Sequence, residues 1–266
     1  MPIVTMRTPL NIIISLAFSL LLGFTVEARA EAVRVAAASD LKFALEALAD
    51  DYARASGHKL DLTFGSSGLL ATQILHGAPF QLFLSADESY VAELHAAGKT
   101  QDAGELYALG RLVLIAPKNG RLVPDPELKG VAWMLQSPKP GRFAIANPEH
   151  APYGKRAEEV LRARGLWQAL QPHLVLGENV SQAAQFATSG SAVGGIVALS
   201  LAKTPQLESR VNYVLLPDTL HQPLRQRMVL MKNAGPVAKD FYRYLQQPAA
   251  RAVLQQYGFE LPQEPR

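Results

Sequence analysis

The chain has 266 residues, a formal net charge of +3 and no cysteine. The absence of cysteine excludes disulfides, thiolate metal sites and cysteine nucleophiles. The charge is only mildly basic and no cluster of Lys and Arg stands out, which argues against nucleic acid as a partner. A chain of this length can bury a core large enough to be stable without disulfides.

The first thirty residues have the layout of a secretory signal peptide. Arg7 supplies a positive charge, and a mostly apolar run follows at residues 10–26. The run ends at Ala28-Arg29-Ala30, a cleavage pattern of small residues. An uncleaved membrane anchor is the alternative, but the run is slightly short for a span. We therefore expect cleavage after Ala30 and export of the remainder, residues 31–266, as a soluble protein.

The first part of that remainder alternates between strand-like apolar runs and helix-like apolar spacing. The alternating segments are, in chain order, residues 31–38, 40–56, 60–64, 69–76, 80–85 and 88–97. A β-α-β-α-β-α order favours a parallel sheet with covering helices.

A strongly apolar segment at 110–117 and a Pro/Gly-rich stretch at 117–130 separate this part from the rest. Further strands are predicted at 142–146, 174–176, 194–199, 213–216 and 227–231, and helices at 155–164, 181–189, 236–245 and 249–257.

These patterns predict an α/β fold of two lobes, each a mostly parallel sheet with flanking helices, joined by two hinge crossings. Lobe I is expected to contain residues 31–112 and 215–266, with the last helices packed back on it. Lobe II is expected to contain residues 113–214. A cleft between two such units is a natural place for a ligand.

Four predicted strand-to-helix turns are rich in small residues: Ala38-Ser39-Asp40, Gly65-Ser66-Ser67-Gly68, Ala151-Pro152-Tyr153-Gly154 and Glu178-Asn179-Val180-Ser181. The first turn of a helix has free backbone N–H groups and the positive end of the helix dipole. Several such turns around one cleft would bind an anion without any formal positive charge. The hydroxyls of Ser39 and Ser67 would add two donors. For any one turn alone, ordinary helix capping or turn geometry is the alternative.

Five segments together resemble the periplasmic molybdate-binding proteins of ABC importers: residues 36–41, 64–68, 77–87, 146–154 and 177–180. The likeness extends to Tyr257-Gly258-Phe259 near the end of the chain. It implies a periplasmic-binding-protein clamp that closes on dehydrated molybdate, and usually tungstate, and delivers it to a membrane permease. It implies no cofactor.

The resemblance also implies a set of ligand-binding residues. Ser39 and Ser67 match two serines that each give a hydroxyl and a main-chain N–H to the anion. Tyr153 and Val180 match positions that donate main-chain N–H groups.

Two positions depart from that pattern. In one branch of the family a tyrosine hydroxyl also binds the anion, and this chain has Ala198 there. A second branch lacks the tyrosine and has a polar residue, often Asn, directly after the first serine, and here that residue is Asp40. An ionised carboxylate only accepts hydrogen bonds, and it would repel a dianion strongly in a dehydrated cleft.

Two interpretations of Asp40 stay open. Its side chain folds back to cap the N–H groups of residues 41–43, so that only its main-chain N–H serves the ligand. Alternatively, it accepts a proton from a protonated ligand, which would suit an anion like hydrogen phosphate better than molybdate.

Other functions also stay open. One is binding of a different oxyanion, such as phosphate or sulfate. Another is a serine hydrolase that uses Ser39 or Ser67, disfavoured because no Gly-x-Ser-x-Gly motif occurs. Glu149 and His150 are adjacent, which does not suit a metal pair, so we expect no cation site. We expect that the protein is not an enzyme, and we also expect a monomer.

Overall fold

The computed structural model describes residues 1–2 and 33–262, so residues 3–30 of the predicted signal peptide lie outside the described residues. Residues 33–262 belong to one compact unit. In this part of the chain, no helix is long and apolar enough to cross a membrane.

The described strands are, in chain order, β1 (Val33–Ala38), β2 (Leu60–Gly65), β3 (Leu82–Ser85), β4 (Glu105–Gly110), β5 (Leu112–Pro117), β6 (Phe143–Ala146), β7 (Leu174–Gly177), β8 (Gly195–Ala198), β9 (Val211–Leu215) and β10 (Leu224–Leu230).

The described helices are α1 (Lys42–Ser56), α2 (Ser67–Leu75), α3 (Glu88–Ala96), α4 (Lys129–Leu135), α5 (Pro152–Ala163), α6 (Trp167–Leu170), α7 (Val180–Thr188), α8 (Leu199–Ala202), α9 (Pro205–Glu208), α10 (Pro236–Leu245) and α11 (Pro248–Gln256). Short 3-10 turns lie at Ser39–Leu41, Gln171–His173 and Asp218–Leu220.

Two five-stranded sheets form the framework. The first has the order β2-β1-β3-β10-β4 and the second the order β7-β6-β8-β5-β9. In each sheet two strand pairs are parallel and two antiparallel, so the expectation of mostly parallel sheets is wrong in this detail. In the first sheet, β10 returns from the second sheet and enters between β3 and β4, antiparallel to both. In the second sheet, β5 lies between β8 and β9, antiparallel to both.

The chain passes between the sheets twice. Only Arg111 separates β4 from β5, and residues 216–223 separate β9 from β10. The expected lobe boundaries lie close to these crossings, but they stay a prediction.

The two C-terminal helices pack on the core of the first sheet, as the sequence predicts. Helix α1 buries an apolar stripe that includes Leu45, Leu48 and Tyr52, and it ends at Gly57 with a positive φ of 77°. Phe241 of α10 lies with its ring centroid 5.0 Å from that of Tyr52. Close aromatic packing of this kind fixes α10 against α1.

Candidate functional site

One small cleft lies where the four predicted strand-to-helix turns meet, together with the turn after β3. Its lining comes from the turns after β1, β2 and β3 of the first sheet and from the starts of α5 and α7. The lining residues are Ala38, Ser39, Asp40, Gly65, Ser66, Ser67, Ala86, Ala151, Pro152, Tyr153 and Val180. All five residues that the sequence proposes for the site are among them. Their role in binding stays a prediction.

Helix starts supply main-chain donors to this cleft. Ser67 is the first residue of α2, Val180 is the first of α7, and Tyr153 is the second of α5. First-turn N–H groups have no acceptor within their own helix and carry the positive end of its dipole. Pro152 opens α5 and has no N–H to satisfy, which suits this position. The geometry therefore suits the binding of an anion by neutral donors, without a positively charged side chain in the lining.

One of the four turns contains an ordinary helix cap, which is the alternative that the sequence analysis left open. The side chain of Asn179 accepts a hydrogen bond from the N–H of Gln182 at 3.1 Å. The residues before α2 and α5, Ser66 and Ala151, make no side-chain cap. Capping therefore accounts for Asn179, but it does not account for the two serines that line the cleft.

The hydroxyls of Ser39 and Ser67 are buried and oriented by the backbone. The Ser67 oxygen accepts from the N–H of Ala86 at 2.9 Å, and the Ser39 oxygen accepts from the N–H of Ser181 at 3.3 Å. Neither hydroxyl donates to another residue in the described part of the chain. Because each oxygen already accepts a hydrogen bond, each O–H remains available to a ligand oxygen.

The Asp40 carboxyl points toward strand β10. It is 1% exposed, and its Oδ2 accepts from the Nε2 of Gln226 at 2.6 Å. Neither the 3-10 turn at Ser39–Leu41 nor α1 has a side-chain cap. The side chain of Gln226 therefore offers this buried carboxylate a direct amide donor, and the N–H groups of Asp40 and Leu41 also lower its pKa, so capping of residues 41–43 is at most partial. The second oxygen, Oδ1, has no hydrogen-bond partner among the described residues.

A buried polar network surrounds this carboxyl. The Tyr107 hydroxyl donates to the Oε1 of Gln226 at 2.7 Å, and the Gln226 amide also donates to the Tyr153 hydroxyl at 3.2 Å. A side chain at Gly110 would collide with both the Tyr153 hydroxyl and the Gln226 amide. Glycine at this position, beside the first crossing between the sheets, therefore leaves room for the network.

Burial controls the protonation of this network. It raises the pKa of Asp40 to about 6, against the opposing effect of the hydrogen bonds from Gln226 and Tyr153 and from the backbone of Asp40 and Leu41. It also raises the pKa of Tyr107 and of Tyr153 well above the usual value, and the Asp40 carboxylate adds to both shifts. The two tyrosines therefore remain neutral near pH 7, whereas Asp40 changes its charge near pH 6.

Further contacts join the turns of the first sheet to segments of the second. The Ser181 hydroxyl donates to the carbonyl of Ser39 and the Ser200 hydroxyl donates to that of Asp40, both at 2.8 Å. At the rim, His150 hydrogen-bonds through Nδ1 to the Ser66 hydroxyl at 2.9 Å. These bonds hold the cleft together from both sides.

The remaining sequence candidates lie outside the cleft. Ala198 is the last residue of β8, fully buried, and does not line it. Among the described residues, no group of three or more His, Asp or Glu side chains is arranged to hold a metal ion.

Sequence reasoning missed Gln226, Tyr107 and Ser200. The predicted strand began at Arg227, three residues after its start at Leu224, because arginines flank Gln226 and hide the alternation of the strand. A polar residue at an inward position of the strand, between two arginines that point the other way, is the signal that would have identified it.

The family described as bacterial extracellular solute-binding protein matches residues 33–260 of the chain. The chain belongs to this family. The solute-binding protein is also 35% identical over 238 residues to the molybdate-binding protein ModA of Azotobacter vinelandii, a match that covers 88% of this chain and 92% of that one. It is 33% identical over 246 residues to ModA of Rhodobacter capsulatus, covering 91% and 94%.

The fold of the solute-binding protein agrees with a solved relative. The structure of the Azotobacter vinelandii periplasmic molybdate-binding protein superposes with a TM-score of 0.79 at 32% identity, covering 87% of this chain and 100% of that one. The two-lobed α/β fold and the resemblance noted in the sequence are therefore confirmed.

Proposed function

We propose that this solute-binding protein captures molybdate, and also tungstate, in the periplasm and delivers it to the permease of an ABC transporter. The observation that carries the proposal is the convergence of four helix-opening turns on one small cleft with unused neutral donors. The names of its relatives, molybdate-binding proteins at 33–35% identity, support the choice of anion.

The donors suit a tetrahedral dianion. Its four oxygens only accept hydrogen bonds, and the proposed donors are the hydroxyls of Ser39 and Ser67 with main-chain N–H groups of Ser39, Ser67, Tyr153 and Val180. Donors fixed by helices and buried hydroxyls cannot follow a smaller ion inward. Sulfate is smaller than molybdate and tungstate, so its hydrogen bonds in the same cleft would be longer and weaker.

Transport follows from the position of the cleft between segments of the two sheets. An anion held by donors from both sides favours the closed arrangement over an open one, and a permease can recognise the closed form. Every proposed donor comes from one chain, so a monomer suffices, and no cofactor is needed.

A second oxyanion is the alternative, and Asp40 favours it. An ionised carboxylate in the lining would accept a hydrogen bond from an anion that carries its own proton, such as hydrogen phosphate. A hydrolase has less support: the side-chain oxygens of Ser39 and Ser67 contact backbone N–H groups, and His150 contacts Ser66 instead.

Calorimetric titration of the mature protein with molybdate, tungstate, sulfate and phosphate tests the proposal. We expect tight one-to-one binding of molybdate and tungstate, and weak or no binding of the other two. Binding of phosphate alone would support the alternative and contradict the molybdate assignment.

A further inference from the structure

We propose that Asp40 takes up one proton from solvent when the cleft binds a dianion, so that the closed complex contains Asp40 as a neutral acid. This inference rests on the proposed function and deepens it, because it makes Asp40 the residue that couples anion capture to pH.

The position of Asp40 brings its carboxyl close to the negative charge of the ligand. Asp40 lines the cleft between two proposed donors, and it is the only Asp, Glu, Lys, Arg or His in that lining. It takes part in none of the ion pairs that the described residues form. A dianion would therefore meet a negative charge that no nearby cation offsets, in a buried place where water screens poorly.

The groups that face Asp40 determine where the charge changes. They are the Gln226 amide from β10 and the hydroxyls of Tyr107 from β4 and Tyr153 from α5. Gln226 does not titrate, and burial raises the pKa of both tyrosines well above their usual range. Asp40 is thus the group of this network that can gain a proton near neutral pH.

In the ligand-free protein, Asp40 is already close to protonation at neutral pH. Burial raises the pKa of Asp40 to about 6 before any anion enters. A dianion a few ångströms away raises it further, because like charges disfavour the ionised form. At a pH between the two pKa values, the free protein is ionised at Asp40 and the complex is protonated, so binding takes up a proton.

We expect the proton to bind to the carboxyl oxygen of Asp40 that has no hydrogen-bond partner. Oδ2 accepts from Gln226, whereas Oδ1 has no partner among the described residues. A proton on Oδ1 forms one new O–H bond and breaks none in the protein or the anion. It removes the negative charge from Asp40, so the anion meets a neutral group in the lining.

Calorimetry of the mature wild-type protein with molybdate measures the proton directly. Titrations at one pH of about 7.5 in two buffers with different heats of ionisation give the number of protons taken up, which we expect to be close to one. Between about pH 6.5 and about pH 8.5, Kd should rise by up to about tenfold per pH unit. These measurements on the wild-type protein test the proton uptake without the need for a variant.

Two variants locate the effect. Asp40→Asn should bind molybdate with a Kd that does not change with pH and without proton uptake. Asp50→Asn removes an exposed carboxylate on α1 and is the matched control, which should keep the proton uptake of the wild type.

The outcomes separate this inference from the function on which it rests. Molybdate binding without proton uptake, or the wild-type pH slope in Asp40→Asn, would contradict the role of Asp40 and leave the proposed function standing. Absence of molybdate binding at every pH would contradict the proposed function and this inference with it.

Discussion

The amide Nε2 of Gln226 donates to the carboxyl Oδ2 of Asp40 at 2.6 Å, across 186 positions of the sequence. This bond ties strand β10, which enters the first sheet from the second, to the turn that follows β1. It lies at the edge of the cleft, so the same contact stabilises the fold and holds a titratable group beside the site.

Replacing Gln226 by Leu should destabilise the protein more at pH 8 than at pH 5. The substitution leaves the buried carboxylate without its amide donor, a loss of about 1–3 kcal/mol in the free energy of unfolding when Asp40 is ionised. Denaturant unfolding at the two pH values checks this. Gln255→Leu, on the exposed face of α11, is the control. Equal losses at both pH values would show that the donor does not serve the charged form.

Replacing Asp40 by Asn should stabilise the ligand-free protein above pH 6. The folded protein holds the Asp40 proton more tightly than the unfolded chain, with a pKa of about 6 against 3.8. Wild-type stability therefore falls as pH rises from about 4 to about 6, by roughly 3 kcal/mol at most, and stays lower above that range. Asp40→Asn should lack this fall, so its advantage over the wild type should appear above pH 6 and vanish near pH 4 in thermal unfolding. An equal effect at both pH values would argue against a charge penalty.

Replacing Ser39 or Ser67 by Ala should weaken molybdate binding about tenfold to a hundredfold each, since a hydrogen bond to a charged group is worth about 1.5–3 kcal/mol. Calorimetric Kd values measure the loss. Ser209→Ala removes an exposed hydroxyl outside the cleft and should bind like the wild type. Unchanged affinity in both cleft variants would remove these hydroxyls from the set of donors.

Replacing Gly110 by Ala should both destabilise the protein and weaken binding. The added methyl group would collide with the Tyr153 hydroxyl and the Gln226 amide, and overpacking of this kind costs about 1–3 kcal/mol. Gly235→Ala is the control, because a methyl group there meets only ordinary contacts. Unfolding and calorimetry on the two variants separate the effects. A variant as stable as the wild type would show that the network can shift without cost.

Local patterns predicted much of the fold. The predicted helix at 236–245 has the bounds of α10, because Pro236 opens it and an apolar stripe continues to Leu245. Strand β4 was missed since its sequence mixes Gly, Ala and Tyr, and its pairing partner β10 lies more than a hundred residues away. Four short helices, α4, α6, α8 and α9, also gave no clear spacing.

In the candidate site, too, some residues could be predicted from local sequence and others depend on distant contacts. Residues in helix-opening turns, such as Ser67 and Val180, carry a local signal in their small neighbours. The direction of the Asp40 side chain does not, because it depends on Gln226 reaching the turn from a distant strand. Sequence reasoning therefore identified the carboxyl and left two interpretations of it open, and the three-dimensional packing adds Gln226 as the donor that neither interpretation included.

Calorimetric titration of the mature wild-type protein with molybdate tests the central claim most directly. We expect one molybdate bound per chain, with sulfate and phosphate unable to displace it at comparable concentrations. Absence of molybdate binding, together with tight binding of phosphate or sulfate, would contradict it.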